Sequence, residues 1–192
     1  KTTYTDLWNA GRIDTDLLYH NLMEVYRYGN VADPRVYVDT FVNYNFNATN
    51  IRIAFARLGA ELARRGEKEK AVEVLDYGLE QMPVSQFQYT YQYLPYIRAY
   101  YEARATEKGD ALFDSYAKNL EEYVDYFLSF PDNRQYLIEN QFADKLTALA
   151  ELHRIAENYG RTDRAARILN LFDWLFGPEG QTDYTEYEQT VL

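Results

Sequence analysis

The stretch Phe55-Ala56-Arg57-Leu58-Gly59-Ala60-Glu61-Leu62, followed by Gly66, Ala71-Val72-Glu73-Val74-Leu75, Gly78 and Pro83, decides the fold. Large apolar residues recur three and four apart, the period that places them on one helical stripe. Phe55, Leu58 and Leu62 form the stripe of a first helix, and Val72, Leu75 and Leu79 that of a second. Gly59 and Ala71 are small where two antiparallel helices approach most closely. Gly66 suits the left-handed conformation that follows a helix C-terminus. Pro83 stops the second helix, because proline lacks the N–H and restricts the residue before it.

This spacing resembles that of a tetratricopeptide repeat, W-x2-L-G-x2-Y, then A-x3-F, then P over roughly 34 residues. Phe stands for Trp, and Leu for Tyr and Phe, so the apolar roles are kept. A weaker copy lies 94 residues on: Leu149-x2-Leu152-His153-x2-Ala156, Gly160, Ala165-x3-Leu169 and Phe172. His153 replaces the small glycine there, and proline arrives one residue late, at Pro178. Gly160-Arg161-Thr162-Asp163 offers both a C-cap glycine and the next N-cap. With a degenerate hairpin at 87–130 between the copies, the expectation is an all-α, TPR-like stack of about three antiparallel hairpins plus an N-terminal helix, in a single domain over 1–192. Three repeats are about the minimum for a stable stack.

Outward from the repeat, residues 1–13 read as an irregular lead-in. Asp14-Thr15-Asp16 offers N-cap oxygens to a helix that should end near Tyr28-Gly29-Asn30. Asp33-Pro34 marks a turn; residues 36–49, rich in Tyr, Val, Phe and Asn, fit a short strand or a helix start, and the favoured reading is a long helix from about Asp39 to Arg65. After a turn at 83–85, a helix should start between 87 and 90 and run to about 106, with Pro95 in it or at its first turn. Residues 107–110 (Glu-Lys-Gly-Asp) read as a break. A helix over 111–130 should bury Leu112, Tyr116, Leu120, Tyr123, Val124, Phe127 and Leu128. Another over 133–158 should bury Leu137, Phe142, Leu146, Leu149 and Leu152, and 177–192 reads as an irregular tail.

The chain has 192 residues, 47% of them hydrophobic, which suffices for a real core and argues against disorder. Its formal charge of −10 disfavours nucleic-acid phosphates and anionic membrane surfaces as partners. There is no cysteine, hence no disulfide, thiolate catalysis or zinc–thiolate site. No apolar run reaches the ~18 residues that span a bilayer, so direct membrane insertion of this segment is not expected. Lys1-Thr2-Thr3-Tyr4-Thr5-Asp6 does not read as a signal peptide, and with no initiating methionine the chain reads as a processed form or an excised part.

No catalytic or metal site is expected. His20 and His153, the two histidines, belong to no H-x3-H or H-E-x2-H pattern, and P-loop, G-x-S-x-G and G-x-G-x2-G motifs are absent, so no cofactor is implied. Glu121-Glu122 with Asp125, and Asp110 with Asp114, supply paired carboxylates of the kind glycoside hydrolysis uses. In an acidic chain they read first as solvated helix faces. Asn47-Ala48-Thr49 fits a glycosylation sequon, a motif short enough to arise by chance. The dense tyrosine run is more distinctive. Tyr89, Tyr91, Tyr93, Tyr96, Tyr100 and Tyr101 exceed what one stripe buries. They are the candidate ligand groove, since tyrosine offers a rigid apolar face and a hydroxyl. The competing reading is that they fill a wide helix–helix interface.

A wider resemblance rests on Gly11-Arg12-Ile13-Asp14-Thr15-Asp16-Leu17-Leu18-Tyr19-His20-Asn21-Leu22-Met23, Tyr28-Gly29-Asn30 and Asp33-Pro34-x2-Tyr37-x-Asp39. It continues through Ile53-Ala54-Phe55-Ala56-Arg57-Leu58-Gly59, Gly66-Glu67-Lys68-Glu69-Lys70-Ala71, Val74-Leu75-Asp76, Met82-Pro83, Tyr93-Leu94-Pro95 and Ala99-Tyr100-Tyr101. Over about 11–103 the chain resembles the C-terminal region of bacterial multi-pass membrane proteins of unknown function related to protein O-mannosyltransferases, departing from it at 104–110. The resemblance implies a non-catalytic, extracytoplasmic (periplasmic) domain at the end of a larger glycosyltransferase-like membrane protein, with the transfer residues upstream of this chain. Its partner would be an acceptor protein or peptide, a glycan or a partner subunit. The alternative is a free-standing peptide-binding scaffold unconnected with glycosylation.

Overall fold

The computed structural model describes residues 12–39, 48–135 and 137–191, with the backbone alone for 132, 133 and 178–191. Among them every regular element is helical: α1 Thr15–His20, running on as a π-helical turn Asn21–Val25; α2 Thr49–Arg64; α3 Lys68–Gln81; α4 Tyr93–Glu102; α5 Thr106–Leu128; a single turn, α6 Asp132–Gln135; α7 Glu139–Asn158; and α8 Thr162–Val191. The chain is all-α. It divides into two compact units, and among the described residues the division falls inside α5, between Leu112 and Phe113.

In the first unit the Asp14 carboxylate caps α1, accepting the Leu17 N–H at 3.0 Å. The helix ends sooner than the glycine signal suggested. Tyr26 is already extended, and Tyr28 folds back to donate its hydroxyl to the Leu22 carbonyl at 2.7 Å. Its ring then packs 5.9 Å from Phe55 and 6.0 Å from Tyr77. Gly29, at φ +63, serves the following turn rather than a helix end. The Asp33 turn forms as read, closed by Val36 N–H to Asp33 O at 2.9 Å. The long helix does not begin at Asp39, because 37–39 are non-helical. Residues 40–47, including Asn47 of the sequon, lie outside the described residues. Ala48 of that motif is buried and Thr49 opens α2.

The α2–α3 hairpin is the one expected from the repeat. Phe55, Leu58 and Leu62 are fully buried against Ala71, Val74 and Leu75. Val72 and Leu79 are half-buried at the edge, so the inner stripe of α3 lies one residue away from the expected one at both ends. Close approach explains the small residues. A Cβ on Gly59 would stand 2.7 Å from the Leu75 side chain. One on Gly78 would meet the Tyr96 hydroxyl at 2.5 Å and the Phe55 ring at 2.8 Å. Gly66 closes the turn at φ +88, with Glu67 N–H on Leu62 O at 2.9 Å and Gly66 N–H on Ala63 O at 3.0 Å.

Beyond α3 the chain runs irregularly to Tyr93 around a buried cation. Arg52, on α2, is only 2% exposed. Its Nη2 donates to the Met82 carbonyl at 2.9 Å and the Phe87 carbonyl at 3.2 Å. The guanidinium carbon lies 5.2 Å from the Phe87 ring centre and 4.8 Å from that of Tyr93. A helix C-terminus carries partial negative charge, so the last carbonyls after α3 suit a cation. The segment is also tied to the earlier turn by Gln86 Nε2, which donates to Asp33 O and Val36 O. α4 thus starts at Tyr93, with Pro95 in its first turn, where a missing N–H breaks no helical bond.

The next break is not at 107–110. It falls at 103–105, where Arg104 takes the left-handed conformation (φ +61) and Ala105 N–H reaches Tyr100 O at 2.9 Å. Gly109 is a buried residue inside α5, and a Cβ there would stand 2.6 Å from the Tyr101 ring. The glycine marks close contact between helices, while an arginine takes the strained turn.

In the second unit the buried face of α5 is Phe113, Tyr116, Ala117, Leu120, Val124 and Phe127. Tyr123 is half-buried and Leu128 is exposed, against expectation. The expected helix from Asn133 is split into α6 and α7, and Leu137 is exposed in the turn between them. The α7–α8 hairpin repeats the turn of the first unit. Gly160 has φ +67, and Arg161 N–H reaches Ala156 O at 2.7 Å. Its packing differs where its sequence differs. Leu149 and Phe172 occupy the places of Phe55 and Gly78, exchanging large for small across the interface. With His153 in the place of Gly59 there is no seat for a leucine, and Leu169 turns outward while Ile168 is fully buried. Past Gly177 (φ 68, ψ −175) the backbone is helical again to Val191, so 178–191 is not irregular as expected of the 177–192 tail: the glycine is a non-helical kink between two helical segments.

Three substitutions test these assignments. Gly109→Ala would stabilise an ordinary helix interior by about 1 kcal/mol. Here it is expected to destabilise by about 1–3 kcal/mol through overpacking, read from the urea midpoint. Arg52→Ala strands two carbonyls and is expected to cost about 3 kcal/mol in the same measurement. Arg52→Lys should recover part of that.

Candidate binding surface

The tyrosine run does not form a groove. Tyr93, Tyr96, Tyr100 and Tyr101 are buried in the first unit, Tyr89 is half-buried and only Tyr91 is exposed. The reason lies in where α4 sits. It packs against both α2 and α3, so residues on two adjoining stripes are covered. Tyr93 stacks on Arg52, and Tyr96 fills the space left by Gly78. Tyr100 donates to Asp76 Oδ1 at 2.8 Å, and Lys108 Nζ donates to the other oxygen of that carboxylate. Tyr101 donates to Asp110 Oδ1 at 2.9 Å. These hydroxyls bind the scaffold together.

The remaining candidates are also structural. Asp114 accepts a two-pronged contact from Arg164 at 3.0 and 2.6 Å, and Glu121 one from Arg167 at 2.7 and 2.7 Å. Both pairs join α5 to α8 within the second unit. Hydrogen bonding to Glu121 holds Arg167 above its ordinary basicity. The carboxylates thus neutralise arginines, leaving Asp125 and Glu122 exposed at the helix surface. His20 contacts Glu24 at 2.7 Å and His153 contacts Glu157 at 3.8 Å, each one helical turn along its own helix. Among the described residues no group of three or more histidine and carboxylate side chains is placed to hold a metal ion. No described helix is long and apolar enough to cross a membrane.

An aromatic strip with one exposed ring lies at the C-terminal end of α5 and just beyond it. Tyr123, Tyr126 and Phe130 follow one another at helical spacing, with ring centres 5.8 and 5.0 Å apart and edge-to-face geometry. Tyr126 is 52% exposed. Beneath them Phe127 stacks flat on Phe142 of α7, 3.7 Å between centres. Tyr123 donates its hydroxyl to Gln141 Oε1 at 2.9 Å, and the Lys145 ammonium lies 5.3 Å from the Tyr123 ring centre. Burial pushes Lys145 below the ordinary lysine range, an effect that neighbouring Asp144 opposes. The strip is thus fixed by the Phe127–Phe142 stack and by the Tyr123–Gln141 hydrogen bond, with Tyr126 left about half-exposed.

Sequence reasoning placed Tyr123 inward and passed over Tyr126 and Phe130. The available signal was that 123, 126 and 130 run beside the buried Leu120–Val124–Phe127 stripe, making the apolar face of α5 wider than one neighbour covers. Compared with protein-family models, curated proteins and solved structures, the chain matches none.

Burial raises the Tyr96 and Tyr100 phenols above their ordinary range, assisted at Tyr100 by its bond to Asp76. Below the unfolded phenol pKa of about 10 both states keep the proton and no stability is lost. Above it only the unfolded chain releases the proton, so stability should fall as pH climbs past about 10. Spectrophotometric titration should show these tyrosines ionising together with loss of helical circular dichroism, and Tyr100→Phe should make that transition shallower.

Proposed function

We propose that the chain is a non-catalytic, TPR-like interaction module, accessory to a membrane-bound glycosyltransferase-like protein and displayed on its extracytoplasmic face. It holds an acceptor protein or peptide, a glycan or a partner subunit. The glycosyltransferase connection and the location rest on the resemblance over 11–103. The binding role rests on one observation, the aromatic strip Tyr123–Tyr126–Phe130 with its central ring exposed. Tyrosine is favoured at such surfaces because it provides large contact area at low conformational-entropy cost. The repeated hairpin turn, at Gly66 and again at Gly160, supports a scaffold that presents surface.

An NMR titration of the chain with acceptor peptides and with oligosaccharides tests the role. Resonances of 123, 126, 130, 141 and 145 are expected to shift together, and Tyr126→Ala to weaken the response at least about tenfold, the loss of roughly 1.4 kcal/mol. No shift from either class removes the reading. Membrane spans encoded upstream of Lys1 would favour the accessory role, and a signal peptide alone would favour the free-standing peptide-binding scaffold.

A further inference from the structure

Charge is unevenly spread along this chain. From Phe113 to Leu192 fifteen acidic residues stand against seven basic ones, so this stretch carries −8 of the total −10. Most of its cations are already engaged. Arg164 and Arg167 serve Asp114 and Glu121, Arg154 serves Glu151 and Lys145 lies over Tyr123. The carboxylates beside the aromatic strip are far less committed. Glu122 precedes Tyr126 by one helical turn and has only Lys118 near it, at 3.9 Å, among the described residues. Asp125, exposed on the same turn, makes no ion pair among the described residues. Asp144, exposed on α7, lies close enough to Tyr123 to raise its phenol, after burial and Tyr126. The opposing charges close in sequence are Lys118 and Lys145, already placed at Glu122 and over Tyr123, and Arg134, exposed on α6.

The ring faces suit the same charge. An aromatic ring is electronegative over its face and attracts ammonium and guanidinium groups. The described residues already use that contact elsewhere: Lys145 over Tyr123 at 5.3 Å, Lys70 over Tyr19 at 4.1 Å, and Arg52 between Phe87 and Tyr93. Tyr126 is an aromatic ring 52% exposed to solvent, held by edge-to-face contacts with Tyr123 and Phe130. A neutral sugar could stack on the ring and donate hydroxyls to the carboxylates, but would leave their negative charge unbalanced. Gln141 Oε1, a natural sugar partner, is already taken by Tyr123.

Building on the reading of this strip as a ligand surface, we propose that its occupant is a Lys- or Arg-bearing segment of a partner protein. A cationic side chain lies on Tyr126, and Glu122, Asp125 and Asp144 provide long-range attraction. Rim charges of this kind act mainly on association rate and salt dependence.

The test uses the full chain and three labelled probes: a Lys/Arg-rich peptide, the same peptide with every Lys and Arg replaced by Gln, and a neutral oligosaccharide. Anisotropy is expected to show binding of the basic peptide alone, weakening steadily with added salt. Tyr126→Ala should weaken it by about tenfold, and Glu122→Gln with Asp125→Asn by about threefold to tenfold. All three substitutions are at exposed positions, and circular dichroism checks that the fold is kept. If the Gln peptide or the oligosaccharide binds equally well and is equally sensitive to Tyr126→Ala, the cationic partner is wrong while the interaction surface stands. If the basic peptide binds without regard to Tyr126→Ala, the cationic contact assigned to that ring is wrong. If no probe responds to Tyr126→Ala, both the cationic partner and the surface are overturned.

Discussion

A buried guanidinium holds the first unit together. Removing a cation from water is expensive unless its donors and charge are answered. Arg52 is answered at Nη2 by the carbonyls of Met82 and Phe87 and over its plane by the rings of Phe87 and Tyr93, while its buried Nε has no hydrogen-bond partner among the described residues. The requirement runs both ways: an irregular stretch between α3 and α4 has carbonyls to satisfy, and Arg52 reaches them from α2. Once that stretch is wrapped around the cation, Tyr93 is placed at the start of α4. α4 is then laid across the hairpin, and the tyrosine run follows it into the core. The burial of four tyrosines, and with it the loss of the expected groove, descends from this arrangement.

The second constraint is distance between helices. Gly59, Gly78 and Gly109 each sit where a methyl group would collide with a neighbouring side chain. Gly59 admits Leu75, Gly78 admits Phe55 and Tyr96, and Gly109 admits Tyr101. In the second unit such a glycine is missing, and the packing changes with it. With His153 in the equivalent place, Leu169 is left 39% exposed although its spacing matches that of Leu75. A repeat pattern therefore carries its helices and turn with it, but its packing only as far as the small residues are kept. The arginine–carboxylate pairs between α5 and α8 give the second unit a further attachment at its surface.

The legible part of the structure was the local part. The α2–α3 hairpin, the left-handed glycines 66 and 160, the Asp14 cap and the position of Pro95 all follow from backbone chemistry that acts within a few residues. Gly109 read as part of a break because a glycine needed for space and one needed for conformation look alike in sequence, whereas Gly29 and Gly177 do take the left-handed conformation but serve a turn and a kink rather than the ends read from them. Leu128 and Leu137 read as core because spacing reports a face without saying how far the neighbouring helix extends. The aromatic strip at Tyr123, Tyr126 and Phe130 was passed over for the same reason, since its exposure depends on where α7 begins.

By itself the sequence determined that this chain is helical, acidic and built from hairpins whose turns recur at an offset of 94 residues. Those properties come from periodicity, capping and charge, which need no partner beyond a few neighbours. Only the tertiary structure decided which tyrosines are wall and which are surface. A side chain's exposure depends on what covers it, and here the covering helices lie tens of residues away along the chain, seated by a buried arginine and by the absence of three methyl groups.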